Sequence, residues 1–337
     1  MGVLENAMQP LYNAIAMLGV LPVVWLGGRM VAAGDWTVGN FSTYLTVFIA
    51  VAARASVAAR LFNAAQKSHV SWLRLKPYLG EAHPWEAVLP APAGDGLRVE
   101  NLSFGYPGGE TILQGVGFAA RPGQIVGVTG PVASGKSALG TALLGLYPYG
   151  GSIRLNGQEL REMTRAQRCG AIAYLGHQSQ LFSGTVAENV ALGRPGDVAA
   201  ALADACMDRD LAAMPAGGAT WVGNGGVTLS GGQQARVGLA RALLQHRPLI
   251  VLDDPFAALD QGTEEQILQN LRRRYRGSVI LLISHRLRSF PGVDQVVLLQ
   301  PGRPPLVGSH GELMEKSPLY QAIYQRQGEA EEHEEQA

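Results

Sequence analysis

The chain has little that would indicate a disulfide scaffold, a metal cage or a nucleic-acid partner. Its 337 residues include two cysteines, Cys169 and Cys206, which form neither a metal-binding spacing nor a disulfide framework. Their scarcity fits a reducing compartment, and we expect both to be small core residues rather than functional thiols. Lysine plus arginine and aspartate plus glutamate each number 27, so no net charge steers the chain toward nucleic acid. There is no internal repeat, and the length allows about two domains.

Charge is absent from two stretches near the N-terminus. The runs LYNAIAMLGVLPVVWLGG (11–28) and TVGNFSTYLTVFIAVAA (37–53) have 18 and 17 residues, near the lower limit for a bilayer-spanning helix. No basic segment precedes the first run, which argues against a signal peptide. A pair of buried core helices is the alternative. We predict two transmembrane helices, at about 8–31 and 37–75, forming a partial transmembrane domain over residues 1–79.

Basic residues follow the second run at helical spacing. They are Arg54, Arg60, Lys67, Arg74 and Lys76. Positive charge beside a span indicates the cytoplasmic side. We therefore expect a multi-pass protein of a bacterial-type inner (plasma) membrane, in contact with lipid, whose C-terminal domain is cytoplasmic.

A change in composition separates this region from the remainder. Residues 80–96 contain three prolines and three glycines, as in a linker. From residue 97 to 327, alternating strand, loop and helix signals predict an α/β domain. Residues 328–337 are rich in glutamate, and we expect an acidic, solvated and disordered tail.

The most specific motif lies inside GQIVGVTGPVASGKSALGTALLG. A strand runs into a glycine turn that satisfies G-x-x-x-x-G-K-[ST], and a helix follows. Backbone N–H groups of such a turn surround phosphates, and the helix N-terminus adds positive potential. Lys136 is predicted to meet the outer phosphates and the Ser137 hydroxyl to bind Mg²⁺. The predicted phosphate-binding residues are Gly130, Pro131, Val132, Ala133, Ser134, Gly135, Lys136, Ser137 and Ala138.

Two adjacent carboxylates, Asp253 and Asp254, follow the apolar run PLIVL. Ligands of open α/β sheets bind beyond the carboxyl ends of strands. Asp253 is therefore predicted to hold Mg²⁺, directly or through water.

The segment LSGGQ (229–233), with GPVASGKS, LIVLDDPFAALD and LLISHRL, resembles the nucleotide-binding domain of ATP-binding cassette (ABC) transporters. The resemblance covers residues 97 to about 326. It implies an α/β P-loop NTPase with a helical subdomain, which binds ATP and Mg²⁺. Residues 1–79 look like the last two membrane helices of an exporter of this superfamily.

The resemblance also implies roles for individual residues. Tyr106 matches the aromatic residue that stacks on adenine. Asp260 matches a loop that touches the opposite cassette. Lys136, Asp254 and His285 match catalytic positions, with His285 at the γ-phosphate. The residues that match the signature, which contacts ATP held by the facing cassette, are Ser230, Gly231, Gly232 and Gln233.

Two positions depart from the family pattern. Glutamate is usual after the magnesium aspartate, whereas this chain has Asp254. A base must lie within roughly 2.6–3.2 Å of its proton, and a displacement of on the order of 1 Å lowers the rate about 10²-fold. The family's magnesium-contacting glutamine falls on His177, a poor ligand for that cation. Gln178 and Gln180 flank it, and Gln178 is the alternative nucleotide and metal contact.

These features predict the ATP-binding and ATP-hydrolysing part of an exporter, which needs a second cassette to complete each site. The departures affect only the ATP on this chain's own phosphate loop, which favours a heterodimer with one weak site over a homodimer. Four membrane helices of an exporter half are not in the sequence, so we expect a truncated product, a fragment or a split assembly. The alternatives are a regulatory ATP-binding subunit and a soluble cassette ATPase acting on nucleic acid, the latter disfavoured by the neutral charge. The motifs leave the transported substrate open.

Overall fold

The computed structural model describes residues 18–76, 79, 94–177, 179–223 and 225–335. The chain divides into two compact units, Met1–Trp85 and Glu86–Ala337.

The N-terminal unit contains two helices; the start of the first, predicted at about residue 8, lies outside the described residues, and the second begins and ends within one residue of the predicted 37–75. Helix α1 is described over residues 18–32, and α2 spans Val38–Leu75. Thr37 caps α2 by accepting a hydrogen bond from the Asn40 N–H at 3.1 Å. The two helices pack closely where Gly27 faces Phe41, because any side chain at Gly27 would overlap the ring. Within the described residues, no helix combines the length and apolar character needed to cross a bilayer.

The C-terminal unit is the predicted α/β domain. Its strands are β1 (Leu97–Phe104), β2 (Leu113–Ala120), β3 (Ile125–Thr129), β4 (Gly150–Leu155), β5 (Gln158–Glu159), β6 (Ile172–Leu175), β7 (Gly184–Thr185), β8 (Trp221–Val222), β9 (Leu249–Asp253), β10 (Val279–Ile283), β11 (Gln295–Gln300) and β12 (Arg303–Gly308). Its helices are α3 (Lys136–Leu143), α4 (Arg165–Ala171), α5 (Val186–Ala191), α6 (Val198–Asp204), α7 (Asp208–Ala213), α8 (Gly231–Leu243), α9 (Gln261–Arg274), α10 (His310–Lys316) and α11 (Pro318–Glu335).

A six-stranded sheet in the order β12-β11-β3-β10-β9-β6 forms the centre of this unit. Its pairs are parallel except β11–β12. All residues of β3, β9 and β10 are buried, as expected for strands covered on both faces. Successive residues of β9 pack on opposite sides: Ile250 and Leu252 lie in the core with α8 and α9, and Val251 lies in the core with α3. The second core also includes the antiparallel sheet β2-β1-β4-β5.

This topology brings the candidate functional segments to one edge. Parallel strands β3, β6, β9 and β10 end at that edge, and their following loops carry the phosphate motif, His177, Asp254 and His285. The central sheet therefore positions these groups.

The acidic C-terminal segment differs from the expectation of a disordered end. Helix α11 continues through it to Glu335. Its QAIYQRQGEAEEHEE sequence is rich in alanine, glutamine and glutamate, which have high helix propensity. The high charge of the segment predicted disorder, whereas its helix propensity favours the helix.

Candidate nucleotide-binding site

The phosphate motif forms the turn between β3 and α3. Gly130 has φ 152°, and a Cβ there would lie 2.5 Å from the carbonyl oxygen of Leu299. Gly135, at φ 92°, is the N-cap of α3. The Lys136 ammonium folds back over the turn, donating to the carbonyl oxygens of Gly130 at 2.8 Å and Pro131 at 2.9 Å. The loop thus adopts the compact turn between strand and helix that the motif predicts.

Ala133 has an unusual conformation within this turn. Its φ is 63°, in the left-handed region. An L-residue with a Cβ is disfavoured there by about 1–2 kcal/mol relative to the right-handed region. The sequence motif allows any residue at this position, so it did not predict the strain.

Polar groups of the loop support its fit to a polyphosphate. The hydroxyls of Thr129 and Ser134 are buried and have no hydrogen-bond partner. Burial lowers the pKa of Lys136, and the carboxylates of Asp253 and Asp254 oppose that effect. Val132 is 94% exposed, so the loop is open to solvent at this residue.

Asp253 ends β9 and is held by a residue that sequence analysis did not identify. The Tyr174 hydroxyl, on neighbouring strand β6, donates to Asp253 Oδ2 at 3.3 Å. Burial, followed by the charge of Asp253, raises the pKa of Tyr174. The tyrosine therefore stays a neutral donor that orients the aspartate. The contact joins residues 79 apart in the chain, so no local motif signals it.

Asp254 is 7% exposed and adopts φ 55°. Its N–H donates to the carbonyl of Ile283 at 2.7 Å, which ties the loop after β9 to β10. Its Oδ2 is buried and accepts no hydrogen bond of good geometry, so its contacts with imidazole are those of ion-pair distance alone. Two exposed imidazoles face that oxygen: His285 Nδ1 at 3.1 Å and His177 Nδ1 at 3.6 Å. The structure thus brings His177 beside Asp254; Gln178 lies outside the described residues.

The loop that carries His285 is fixed from the C-terminal helix. Gln327 of α11 accepts a hydrogen bond from the Leu287 N–H at 2.7 Å and donates to the carbonyl of His285. Ser284 adds a contact to Asp254 Oδ1 at 3.4 Å. Sequence analysis missed both residues, since glutamine and serine have no distinctive spacing here.

Tyr106 belongs to an aromatic group beside the phosphate loop. Its ring makes edge contacts with Phe104 at 5.3 Å and Tyr147 at 5.6 Å between centroids. Its hydroxyl donates to Thr141 Oγ1 of α3 at 3.4 Å. The ring remains 41% exposed, so it has surface available for a planar ligand.

The signature begins α8. Ser230 is the N-cap, with its Oγ accepting from the Gln233 N–H at 3.2 Å and Gln233 Oε1 accepting from the Ser230 N–H at 2.9 Å. Gln233 Nε2 donates to Asp210 of α7 at 2.8 Å. A Cβ at Gly232 would lie 2.8 Å from the carbonyl of Ala258, so glycine is required by close approach. The Gln233 side chain is therefore engaged in holding the helix start, which sequence analysis did not foresee.

A cavity of about 510 Å³ lies between the segment of His177, the loop after β9 and the start of α8; His177, Asp254 and Gly231 are among its lining residues. Asp260 lies beyond the lining, as the N-cap of α9, and accepts from the Thr263 N–H at 2.9 Å. Hydrogen bonds donated by the Thr263 hydroxyl and the Thr263 N–H lower the pKa of Asp260.

A glycine turn between a strand and a helix, with a buried aspartate at the end of a nearby parallel strand, defines a P-loop nucleotide-binding domain. Residues 113–257 match the family model described as ABC transporter. The chain carries the ATP-binding cassette domain of that family, and it is similar to ABC exporter ATP-binding/permease proteins.

The multidrug resistance-like ATP-binding protein MdlA of Escherichia coli is 32% identical over 325 residues, which are 94% of this chain and 55% of that protein. A probable multidrug resistance ABC transporter ATP-binding/permease protein of Bacillus subtilis is 31% identical and matches 96% of this chain and 57% of its own length. A solved structure of a bacterial Atm1-family ABC exporter with ATP bound has a TM-score of 0.72 and 29% identity, covering 96% of this chain and 59% of that one. The chain thus spans little more than half of these proteins.

Proposed function

We propose that this chain is the ATP-binding and ATP-hydrolysing part of an ABC-type membrane exporter. The observation that carries the proposal is the Gly130–Ser137 turn. Its Lys136 ammonium donates hydrogen bonds to two carbonyl oxygens of the turn, and Asp253 ends the nearby strand β9. The resemblance to exporter ATP-binding/permease proteins supports the transport role. The two N-terminal helices correspond to part of a membrane domain.

In this proposal the backbone N–H groups of the turn bind the phosphates of ATP. Lys136 exchanges its carbonyl partners for outer phosphate oxygens, and Tyr106 packs on the adenine. The orphaned hydroxyls of Thr129 and Ser134 supply further polar atoms at the cradle. Together these contacts hold the nucleotide in a defined orientation.

The Ser137 hydroxyl and the Asp253 carboxylate suit Mg²⁺, a hard cation that prefers oxygen. The bound cation would neutralise charge on the phosphates. Tyr174 would keep Asp253 oriented.

The role of Asp254 as a slow base is also part of the proposal. Its carboxylate is one methylene shorter than the usual glutamate, and its buried Oδ2 lies within ion-pair distance of His285 and His177. A carboxylate held in this way takes a water proton less readily, because a base has to lie within hydrogen-bond reach of that proton. We infer a site with weak turnover that still binds ATP.

A second cassette is required in this mechanism. Ser230, Gly231 and Gly232 begin a helix and would offer its N–H groups to ATP held by the facing chain. The signature is intact, whereas the weakened groups serve this chain's own nucleotide, so we favour a heterodimer over a homodimer. Together with its transmembrane partners, the assembly would be a multi-pass protein of a bacterial-type inner membrane, with the cassette in the cytoplasm. Residues 183–193, SGTVAENVALG, would couple cassette closure to that membrane domain.

The defining test compares two lysine variants of the full chain in detergent. Lys136→Ala should weaken ATP binding by more than about 10-fold, because a charge-assisted contact to phosphate is lost. Lys316→Ala, which removes an exposed lysine in the last turn of α10, should leave the affinity unchanged. Unaltered ATP affinity in Lys136→Ala would rule out the proposed nucleotide site.

A second candidate is a regulatory ATP-binding subunit with negligible turnover, which the short Asp254 favours. ATP hydrolysis by the purified chain, alone and with a partner cassette, distinguishes the two. Phosphate release that depends on Asp254 supports the enzyme, while ATP binding without release supports the regulatory role. Recovery in the cytosolic rather than the membrane fraction would instead favour a soluble cassette ATPase.

A further inference from the structure

We propose that Arg194, Arg241 and Arg247 form a binding site for a phosphate-sized oxyanion, separate from the phosphate loop. The three side chains come from different places: Arg194 follows α5, Arg241 lies in α8, and Arg247 precedes β9. They line one cavity of about 330 Å³. We refer to it as the arginine cavity.

The hydrogen bonds of these arginines go to neutral acceptors. Arg241 donates to the carbonyl oxygens of Asn189 at 2.8 Å and Gln180 at 3.1 Å. Arg247 donates to the carbonyl of Gly170 at 3.0 Å and to Gln245 Oε1 at 3.2 Å. A guanidinium has five N–H donors, so each retains unused ones. In the part of the chain that the structure describes, the Arg194 side chain makes no hydrogen bond or ion pair, and none of the three pairs with a carboxylate.

The positive charge of the cavity is consequently uncompensated. Burial lowers the pKa of Arg241 and of Arg247, and the charge of Arg194 lowers both further. Repelling, half-buried guanidiniums without a counter-charge favour an anion between them, because Coulomb attraction is stronger in a partly desolvated cavity than in water. Planar guanidinium forks match the paired oxygens of a phosphate group. Orthophosphate and pyrophosphate are of a size that this cavity can hold.

The arginine cavity adjoins the nucleotide site through a shared wall. Gly176, Ser179 and Gln180 line both this cavity and the one that contains His177 and Asp254. Tyr174, which holds Asp253, also lines the arginine cavity. An anion bound by the arginines would therefore stabilise the segment carrying His177 through the wall that the two cavities share.

The test measures pyrophosphate binding to the full chain in the Lys136→Ala background, where the phosphate loop is weakened. Isothermal titration is performed against sodium chloride at matched ionic strength. We expect saturable binding that falls at least 10-fold when Arg194→Gln and Arg247→Gln are combined. Arg98→Gln with Arg154→Gln is the control, since it removes the same charge from exposed arginines that lie next to acids. Arg241 is kept, because it holds Asn189 and Gln180.

The outcomes are decisive in both directions. Equal binding by the double variant and its control, or no saturable binding in the Lys136→Ala chain, overturns the proposal. If the double variant does not fold, Arg194→Gln alone should reduce pyrophosphate affinity about threefold. Thermal stability should not change, since the Arg194 side chain makes no hydrogen bond or ion pair within the described residues. Unchanged affinity refutes the site. Retention of ATP binding by Lys136→Ala would contradict the proposed function but not the arginine site. The arginine variants and their control all carry Lys136→Ala, so their comparison does not depend on the phosphate loop.

Discussion

The Nδ1 atom of His285 lies 3.1 Å from Oδ2 of Asp254, and the Nδ1 atom of His177 lies 3.6 Å from the same oxygen. One buried carboxylate oxygen is thus faced by two exposed imidazoles. A glutamine amide at residue 177 would present both a donor and an acceptor, whereas an imidazole presents a ring nitrogen whose role depends on its tautomer. The two positions at which we expect departures from the family pattern are therefore in contact range, so the predictions for them are tested together.

Restoring glutamate at residue 254 tests the short-base explanation. Asp254→Glu extends the carboxylate by one methylene, and we expect ATP hydrolysis to rise by about 10²-fold. Phosphate release is measured with the partner cassette present. Asp254→Asn is the matched control, since asparagine tolerates the left-handed φ of 55° but cannot accept a proton; it should abolish hydrolysis while ATP affinity is retained. An unchanged rate in Asp254→Glu would count against the explanation.

A glutamine at residue 177 should increase the affinity of the site for Mg²⁺. His177→Gln supplies an amide oxygen, which a hard cation prefers to imidazole nitrogen, and we expect half-maximal hydrolysis at a several-fold lower Mg²⁺ concentration. Because the two positions lie close together, the effects of His177→Gln and Asp254→Glu should not be additive. Additive effects across the double-mutant cycle would show that the residues act independently.

The strain at Ala133 predicts a stabilising substitution inside the phosphate loop. Ala133→Gly removes a Cβ from a left-handed position, a gain of about 1–2 kcal/mol, and loses roughly 0.5–1 kcal/mol through the greater backbone entropy of glycine in the unfolded chain. We expect a net increase of up to about 1.5 kcal/mol in the free energy of unfolding, measured by thermal or denaturant melting. Ala138→Gly, five residues on and within α3, should instead destabilise by about 1 kcal/mol. If Ala133→Gly destabilises the chain as Ala138→Gly does, the backbone of Ala133 is not strained.

Local motifs account for the parts of the site that the sequence predicted. Gly130 to Ser137 and Asp253 each lie directly beside a strand with its own hydrophobic pattern, so their placement needs no knowledge of distant contacts. Tyr174 and Gln327 were not predictable, because each acts through a partner on another element, 79 residues away for Asp253 and 40 for Leu287. The arginine cavity was not predictable for the same reason, because its three arginines become neighbours only when α5, α8 and β9 pack together.

Gln327 is expected to position the His285 loop without touching nucleotide. Gln327→Ala removes the bonds to Leu287 and His285, and we expect hydrolysis to fall about 10-fold or more through misplacement of the histidine. Gln325→Ala, at an exposed position of the same helix, is the control. ATP affinity should change little in either variant, and Gln327→Glu, which keeps the acceptor for the Leu287 N–H, should recover part of the rate. Equal rates for the two alanine variants would contradict the positioning role.

Glu159 provides a pH test of the antiparallel sheet. Burial raises the pKa of Glu159, but hydrogen bonds from Ser152, Tyr149, the Ile153 N–H and Arg161 outweigh it and leave the pKa below its ordinary 4.5. Folding is therefore favoured by the ionised form: its contribution is complete above pH 4.5 and disappears as pH falls through the lower, folded-state pKa. Glu159→Gln keeps the shape and removes the charge, so the wild-type chain should melt at a higher temperature than the variant at pH 7. That difference should shrink steadily on acidification below pH 4.5, because protonation makes the wild-type side chain neutral as well. A difference that stays constant from pH 7 to pH 3 would mean that the lost charge of Glu159 does not account for the stability change.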